Sequence, residues 1–289
     1  MTVLTRERAP AKINLCLYLG PTRADGRHEL VTLFDAVGLF DELEVVSAAR
    51  DEVICDRVPG PNLVGDALAA LRQAGWDAPP VRVTITKRIP VAAGMGGGSA
   101  DAAAMLRLAP RLGSTDGTSR LRIAGRLGAD VPSQLVPGPW VGVGAGHRLL
   151  PAPELPPYAV VVIPQPFPLS TADVYREADR LGELRPVAEM EIVRHQLSTG
   201  FSAELIVNDL QAAALSLAPT IARPLQDARA AGADDAIVCG SGPTVIGLFW
   251  GEDGALRARE AASRLRRDHP AVLSAEPVRG GDGAPAANE

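Results

Sequence analysis

The chain has 289 residues, 46% hydrophobic and 22% charged, with a formal net charge of -5. That composition is ample for a globular protein of two ordinary domains or one large one, and its acidic balance argues against a nucleic-acid partner. Cys16, Cys55 and Cys239 are odd in number and far apart, so neither a disulfide framework nor a zinc site is indicated and a reducing cytoplasm fits; no signal-like N-terminus and no apolar run of the ~18 residues that a membrane helix needs is present.

In chain order, Ile13, Leu15, Leu17 and Leu19 alternate with Lys12, Asn14, Cys16 and Tyr18, a period of two that predicts a half-buried strand with Lys12 and Asn14 on one face. Taken alone, Lys12 reads as a solvated strand lysine; beside Asn14 it becomes a candidate ligand contact. A turn at residues 22–26 leads into a second strand reaching about Val37, and a third covers residues 43–47. His28 stands at the loop-to-strand junction. A lone histidine is more often structural, but beside Arg27 it can also hydrogen-bond a polar ligand. Asn62 reads as the cap of a helix that ends near Ala74, with Gly75 as its stop. Val81, Val83 and Ile85 then alternate in a strand that delivers the chain to a glycine-rich stretch.

That stretch, residues 89–103, places Gly94, Gly96, Gly97 and Gly98 within five positions. Glycines allow positive φ and let an anion approach backbone N–H groups, and Ser99 is placed to cap the alanine-rich helix that follows, so the segment predicts a phosphate cradle at a helix N-terminus. It lacks the Gly-Lys-Ser/Thr of a Walker loop, the third glycine of a dinucleotide fingerprint, and the later motifs of protein kinases. Its position between a strand and a helix argues against a flexible linker. A helix follows over residues 119–127, and then Asp130 and Pro132 stand where a further helix would begin, so Asp130 reads equally as an ordinary cap. Residues 140–144 form a strand.

Pro151, Pro153, Pro156 and Pro157 mark the best domain boundary, giving domains over residues 1–150 and 151–279, with residues 280–289 expected to be a disordered tail. Beyond the boundary the pattern predicts strand 158–163, helices 171–181, 204–215 and 220–231, strands 235–239 and 245–250, helix 255–267 and strand 272–278. Without the inserted helices this is the split β-α-β-β-α-β arrangement of ferredoxins. The segment Gly240-Ser241-Gly242-Pro243-Thr244 between its middle strands is either a hairpin turn or a second backbone contact for a ligand between the domains.

Three separated segments resemble the motifs of the GHMP small-molecule kinases in order and spacing: Ala-Pro-Ala-Lys-Ile-Asn-Leu ending at Leu15, Pro-x-x-x-Gly-x-Gly-Gly-Gly-Ser-x-Asp-Ala-Ala beginning at Pro90, and the Gly240 to Thr244 segment. Ala-Lys-Ile-Asn-Leu, Ala-Asp-Gly-x-His-Glu-Leu ending at Leu30 and Leu-Gly-Ala-Asp-Val-Pro ending at Pro132 are similar to the branch of that family acting on a cytidine-diphosphate-linked methylerythritol in non-mevalonate isoprenoid synthesis. The resemblance implies an α+β, two-domain fold. Its N-terminal domain would be like domain 2 of ribosomal protein S5 and its C-terminal domain ferredoxin-like, with the active site in the cleft between them. It implies phosphorylation of the small molecule's 2-hydroxyl with ATP and Mg2+, and no membrane partner; ligands for the metal and the oligomeric state stay open.

By the same resemblance Asp130 takes the proton from the attacking hydroxyl with Lys12 beside it, which agrees with the need of a weak alcohol nucleophile for a positioned base and of the developing charge for a cation. The nucleotide falls to Pro90, Val91, Ala92, Ala93, Gly94, Met95, Gly96, Gly97, Gly98, Ser99, Ala100 and Asn62, and the cytidine substrate to Asn14, Arg27, His28 and Tyr175. Arg27 departs from the tyrosine common at that place; its guanidinium can stack on a base and offers charge to a diphosphate. The alternatives are a kinase of this family for homoserine or a sugar, which the segment ending in Arg27 and His28 disfavours, and a catalytically silent nucleotide-binding relative, which the joint presence of Lys12, the glycine loop and Asp130 disfavours.

Overall fold

A computed structural model describes residues 3–58, 60–182 and 184–278; the tail expected at 280–289 lies outside the described residues. The first sheet is built on a long antiparallel hairpin of β1 (Val3–Thr22) and β2 (His28–Ser47). β2 is one strand of 20 residues, not the two expected, because a bulge takes up its irregular middle: Pro10 faces Phe40 while Ala11 faces Val37, leaving Gly38 and Leu39 as the extra residues. Proline, which has no N–H to give a ladder, is tolerated at such a bulge. β3 (Glu52–Ile54) and α1 (Leu63–Gln73) follow, and then β4 (Val81–Thr86), which pairs with residues 42–47 of β2. After α2 (Gly97–Leu112) and α3 (Gly117–Leu127), β5 (Trp140–Gly144) pairs with residues 30–34 of the same strand. β4 and β5 thus share β2 in succession. β3 extends the sheet beside β4, and β6 (Arg148–Pro151) extends it beside β5.

The second sheet contains β7 (Tyr158–Ile163), β8 (Asp235–Val238), β9 (Val245–Trp250) and β10 (Leu273–Ala275) in the order β10-β7-β9-β8, every pair antiparallel. Its helices are α4 (Thr171–Leu181), α5 (Val187–Thr199), α6 (Gln211–Leu217), α7 (Ala222–Ala230) and α8 (Gly254–Leu265). This is the expected β-α-β-β-α-β arrangement with α5 as an unforeseen addition. The helix expected over 204–215 is instead a 3-10 turn at Ala203–Leu205 followed, after a break, by α6.

The half-buried β1 of the sequence reading is buried on both faces from residue 9 to residue 20. α2 and α5 both pack against it, and Leu17 forms a bridge to Asn208. Leu17, Leu19 and Leu30 of the hairpin also join Val174 and Ala178 of α4 and Leu210 in one apolar cluster. The second half of the chain is therefore seated on the end of the β1–β2 hairpin that carries the polar residues Asn14 and His28.

Candidate active site

α2 starts directly behind Gly96, whose φ of 65° places it in the left-handed region that glycine tolerates, and no side chain caps the helix. Ser99, expected as the cap, lies within the first turn instead. The N–H groups of that turn are consequently left for an outside acceptor, and the helix dipole favours a negative one. Of the four glycines, Gly94 and Gly96 have positive φ, while Gly97 and Gly98 begin the helix. Gly94 also answers to a close approach: a Cβ there would stand 3.0 Å from the carbonyl oxygen of Gly242. The segment from Gly240 to Thr244 is thus more than a hairpin turn, since it seats the glycine loop from the second half of the chain.

β1 holds the same loop from the other side, the Lys12 N–H donating to the Met95 carbonyl at 3.0 Å. The Lys12 ammonium donates to Asn14 Oδ1 at 3.0 Å and stands 3.4 Å from Asp130 Oδ2. Asn14 in turn donates from Nδ2 to the Thr32 hydroxyl at 2.8 Å, which donates to the Cys16 carbonyl at 2.6 Å. This chain fixes the amide so that its oxygen faces Lys12. The capping role left open for Asp130 is not what the structure shows. The 3-10 turn at Ser133–Leu135 has no side-chain cap, and the Ser133 hydroxyl goes to the Asp130 main-chain carbonyl. The Asp130 carboxylate, 38% exposed against 8% for the Lys12 side chain, is free to meet a ligand.

These groups line a cavity of about 520 Å3, with Lys12, Asn14, Asn62, Asp130 and residues 90–99 on its N-terminal side and Tyr175, Gly240 and Ser241 on its C-terminal side. Asn62, on the cavity wall, also caps α1 by accepting from the N–H groups of Val64 and Gly65. Ala100 is fully buried beneath the loop and does not reach the cavity. Burial pushes the Tyr175 phenol up to about 12, with the charge of Asp130 adding to the rise, so the ring enters the site neutral. His28 does not line the cavity; it is buried behind Tyr175, ring centroids 5.5 Å apart, with Nε2 2.7 Å from Asp179 Oδ1. Arg27 also stays out of the lining, exposed on the hairpin turn, where its main-chain N–H donates to Asp25.

Sequence reasoning missed a buried trio beside the loop. Lys87 Nζ lies 2.5 Å from Asp41 Oδ2 and 2.7 Å from Asp101 Oδ2, and both Lys87 and Asp101 line the cavity. Burial lowers the Lys87 ammonium, but its two carboxylates outweigh that and hold it above its ordinary range. Asp101 is driven to about 7 by burial, against the pull of Lys87 and with the Asp41 charge adding to the rise. Asp101 stands two residues after Ser99 in the glycine motif, which was the available signal; Lys87 lies 14 residues from Asp101 and 46 from Asp41 along the chain, so no local pattern joins the three.

A glycine loop opening a helix, set between two sheets against a lysine–aspartate pair, defines a small-molecule kinase of the GHMP class. The pattern of the GHMP kinases N terminal domain matches residues 62–138, and that of the GHMP kinases C terminal matches residues 197–267. A 4-diphosphocytidyl-2-C-methyl-D-erythritol kinase of Rhodococcus jostii (strain RHA1) is 42% identical over 86% of this chain and 85% of its own length, and one of Streptomyces coelicolor is 43% identical over 83% and 86%. A crystal structure of 4-(cytidine 5'-diphospho)-2C-methyl-D-erythritol kinase superposes with a TM-score of 0.77 at 33% identity, covering 96% of this chain and 100% of that one. The chain belongs to the family of 4-diphosphocytidyl-2-C-methyl-D-erythritol kinases. A homoserine kinase from Cytophaga hutchinsonii, 18% identical with a TM-score of 0.67 over 95% of each chain, shares the fold. Membership makes the protein an ATP-using phosphotransferase, and among the described residues no helix is long and apolar enough to cross a membrane.

Proposed function

We propose that the protein transfers the terminal phosphoryl group of ATP to the 2-hydroxyl of 4-diphosphocytidyl-2-C-methyl-D-erythritol, in the cytoplasm, as a step toward isoprenoid precursors. The observation that carries the reading is the Lys12–Asp130 pair, 3.4 Å apart and facing the uncapped start of α2 across one cavity. In this reading the two sheets belong to two domains, residues 1–150 and 151–279, and the substrate lies between them.

The N–H groups of Gly97, Gly98 and Ser99 and the loop before them hold the phosphates, and Asn62 borders the nucleotide. The substrate hydroxyl lies against Asp130, which takes its proton as the oxygen attacks phosphorus. Lys12, held by Asn14, neutralises charge on the attacking and transferring oxygens. Positioning and neutralisation of charge are the main demands of phosphoryl transfer. Tyr175 stacks on the cytosine with His28 behind it, and Arg27 lends charge toward the diphosphate from the exposed turn.

Among the described residues no group of three or more His, Cys, Asp or Glu could hold a metal. Magnesium that travels with nucleotide phosphates needs only one or two protein oxygens and keeps its waters, and the Ser99 hydroxyl and Asp130 carboxylate on the cavity fit that requirement. When bound there, the ion would screen phosphate charge. The reading is tested by ADP release with the cytidine substrate, homoserine and mevalonate in parallel. Release with the first alone is expected, and comparable turnover of another alcohol would overturn it.

A further inference from the structure

We infer that Thr32 is a positioning residue for the reaction, because its hydroxyl locks the Asn14 amide in the one orientation that holds the Lys12 ammonium beside Asp130. This rests on the reading of Lys12 as the cation of phosphoryl transfer, and deepens it.

Lys12, Asn14, Thr32 and Asp130 all line the same cavity, and the first three are buried. Lys12 and Asn14 stand two residues apart on β1, while Thr32 lies on the neighbouring strand β2. A branched side chain suits this place. The Thr32 methyl is turned toward β5, where its ladder partner is Gly142; a Cβ on that glycine would come within 3.1 Å of the methyl carbon. With the methyl on that side, the hydroxyl faces β1.

Each bond in the series that follows fixes the sense of the next. A carbonyl can only accept, so the contact of Thr32 Oγ1 with the Cys16 carbonyl at 2.6 Å uses the single hydroxyl proton. Toward Asn14, 2.8 Å away, the hydroxyl then offers only lone pairs, and it must meet the amide nitrogen and not the amide oxygen. That turns Oδ1 to the other side, where it accepts from the Lys12 ammonium at 3.0 Å. The ammonium is thereby held between Asn14 Oδ1 and Asp130 Oδ2, the latter 3.4 Å away. The face of Phe34, 5.7 Å from the ammonium, attracts it as well, but a ring face is a broad target and does not select one direction. Without the Thr32 hydroxyl the amide is free to turn over. Its N–H groups would then oppose the ammonium, which has only donors of its own, and would push it from its place. Displacing a reacting or charge-stabilising group by about 1 Å can cost on the order of 10²-fold in rate.

The test is Thr32→Val, which keeps a methyl toward Gly142 and removes the hydroxyl, beside Thr32→Ser, which keeps the hydroxyl and loses the methyl. With ADP release on the cytidine substrate as the assay, valine should lower kcat by roughly ten- to a hundredfold while ATP affinity by calorimetry is unchanged. Serine should restore most of the loss. If the valine chain does not fold, Thr32→Ala carries the same expectation. A double-mutant cycle isolates the route: Asn14→Leu already lacks the amide, so adding Thr32→Val to it should cost nothing further in kcat. A wild-type kcat for valine, serine as impaired as valine, or additive losses in the cycle would each show that Thr32 only fills space and would overturn the inference. The reading beneath it fails separately. Near-normal kcat in Lys12→Met denies Lys12 its role whatever Thr32 does, whereas a large loss there with none in Thr32→Val sinks the inference alone.

Discussion

In the proposed function, Asp130 and Lys12 owe their roles as base and cation to placement. The carboxylate is 38% exposed to the cavity and the ammonium is buried behind it, so a hydroxyl entering the site meets the base first and the cation second. Asp130→Asn keeps the shape and removes the base. Turnover should fall by roughly 10²–10⁴-fold while nucleotide affinity by calorimetry stays near wild type; near-normal turnover would deny Asp130 its role. Asp101 makes a separate prediction through pH. Its carboxyl titrates at about 7 in the folded chain against an ordinary value of 3.8, so the folded state holds an extra proton between those limits. Stability from that proton is complete below the lower value and is lost as pH rises through the higher one. Asp101→Asn is neutral at every pH, so its melting temperature should gain on that of the wild type between about pH 5 and pH 8. Parallel melting curves would show that the acid is not held protonated.

At the scale of elements, the glycine loop between a strand and a helix was legible because its signals are local: glycines, a strand before and a helix after need no distant information. Its finer structure was not. Gly97 lies in the helix, so its side chain is limited by neighbours and not by φ; a Cβ there would stand 3.1 Å from Ile89 Cγ2 and 3.2 Å from Lys87 Nζ. Gly97→Val should therefore displace Lys87 and the start of α2 together and abolish nucleotide binding, with unchanged ATP affinity by calorimetry counting against the cradle. The other misreadings share a cause. The alternation of Lys12, Asn14, Cys16 and Tyr18 with Ile13 and the leucines of β1 reads as one solvated face, but distant parts of the chain, α2 and α5 among them, pack against the strand and bury that face too. Gly38 and the charged Asp41 and Glu42 looked like a gap in β2, but the bulge and the Lys87 contact with Asp41 absorb them. α5 buries Met190, Val193 and Leu197 while exposing Val187 and Ile192, so its apolar stripe is blurred. The His28–Asp179 contact joins positions 151 residues apart, and no local pattern announces it.

For the whole molecule, the site exists only while the two halves stay in register, and Asn208 is the clearest single residue in that joint. Leu17 donates to the Val207 carbonyl at 2.7 Å and accepts from the Asp209 N–H at 2.9 Å, so β1 of the first half is laced to the segment around Asn208. The Asn208 side chain then reaches into the second sheet: Nδ2 donates to the carbonyls of Val238 at 2.8 Å and Gly240 at 2.7 Å, while Oδ1 accepts from Leu210. Gly240 packs against Asn14 and Gly94, so this one amide ties β1, the glycine loop and the turn at Gly240 together. Asn208→Ala should cost about 1–3 kcal/mol by leaving buried carbonyls without their donor. Asn208→Asp separates donation from packing. It fills the same space and keeps an acceptor for Leu210, but sets a carboxylate oxygen against two carbonyl oxygens, so it should destabilise at least as much as alanine in urea unfolding. Both variants should also raise KM for ATP and for the cytidine substrate together, since the turn they release borders the cavity and seats the glycine loop. If aspartate proves nearly neutral while alanine does not, the residue fills space and does not hold the halves by its N–H groups.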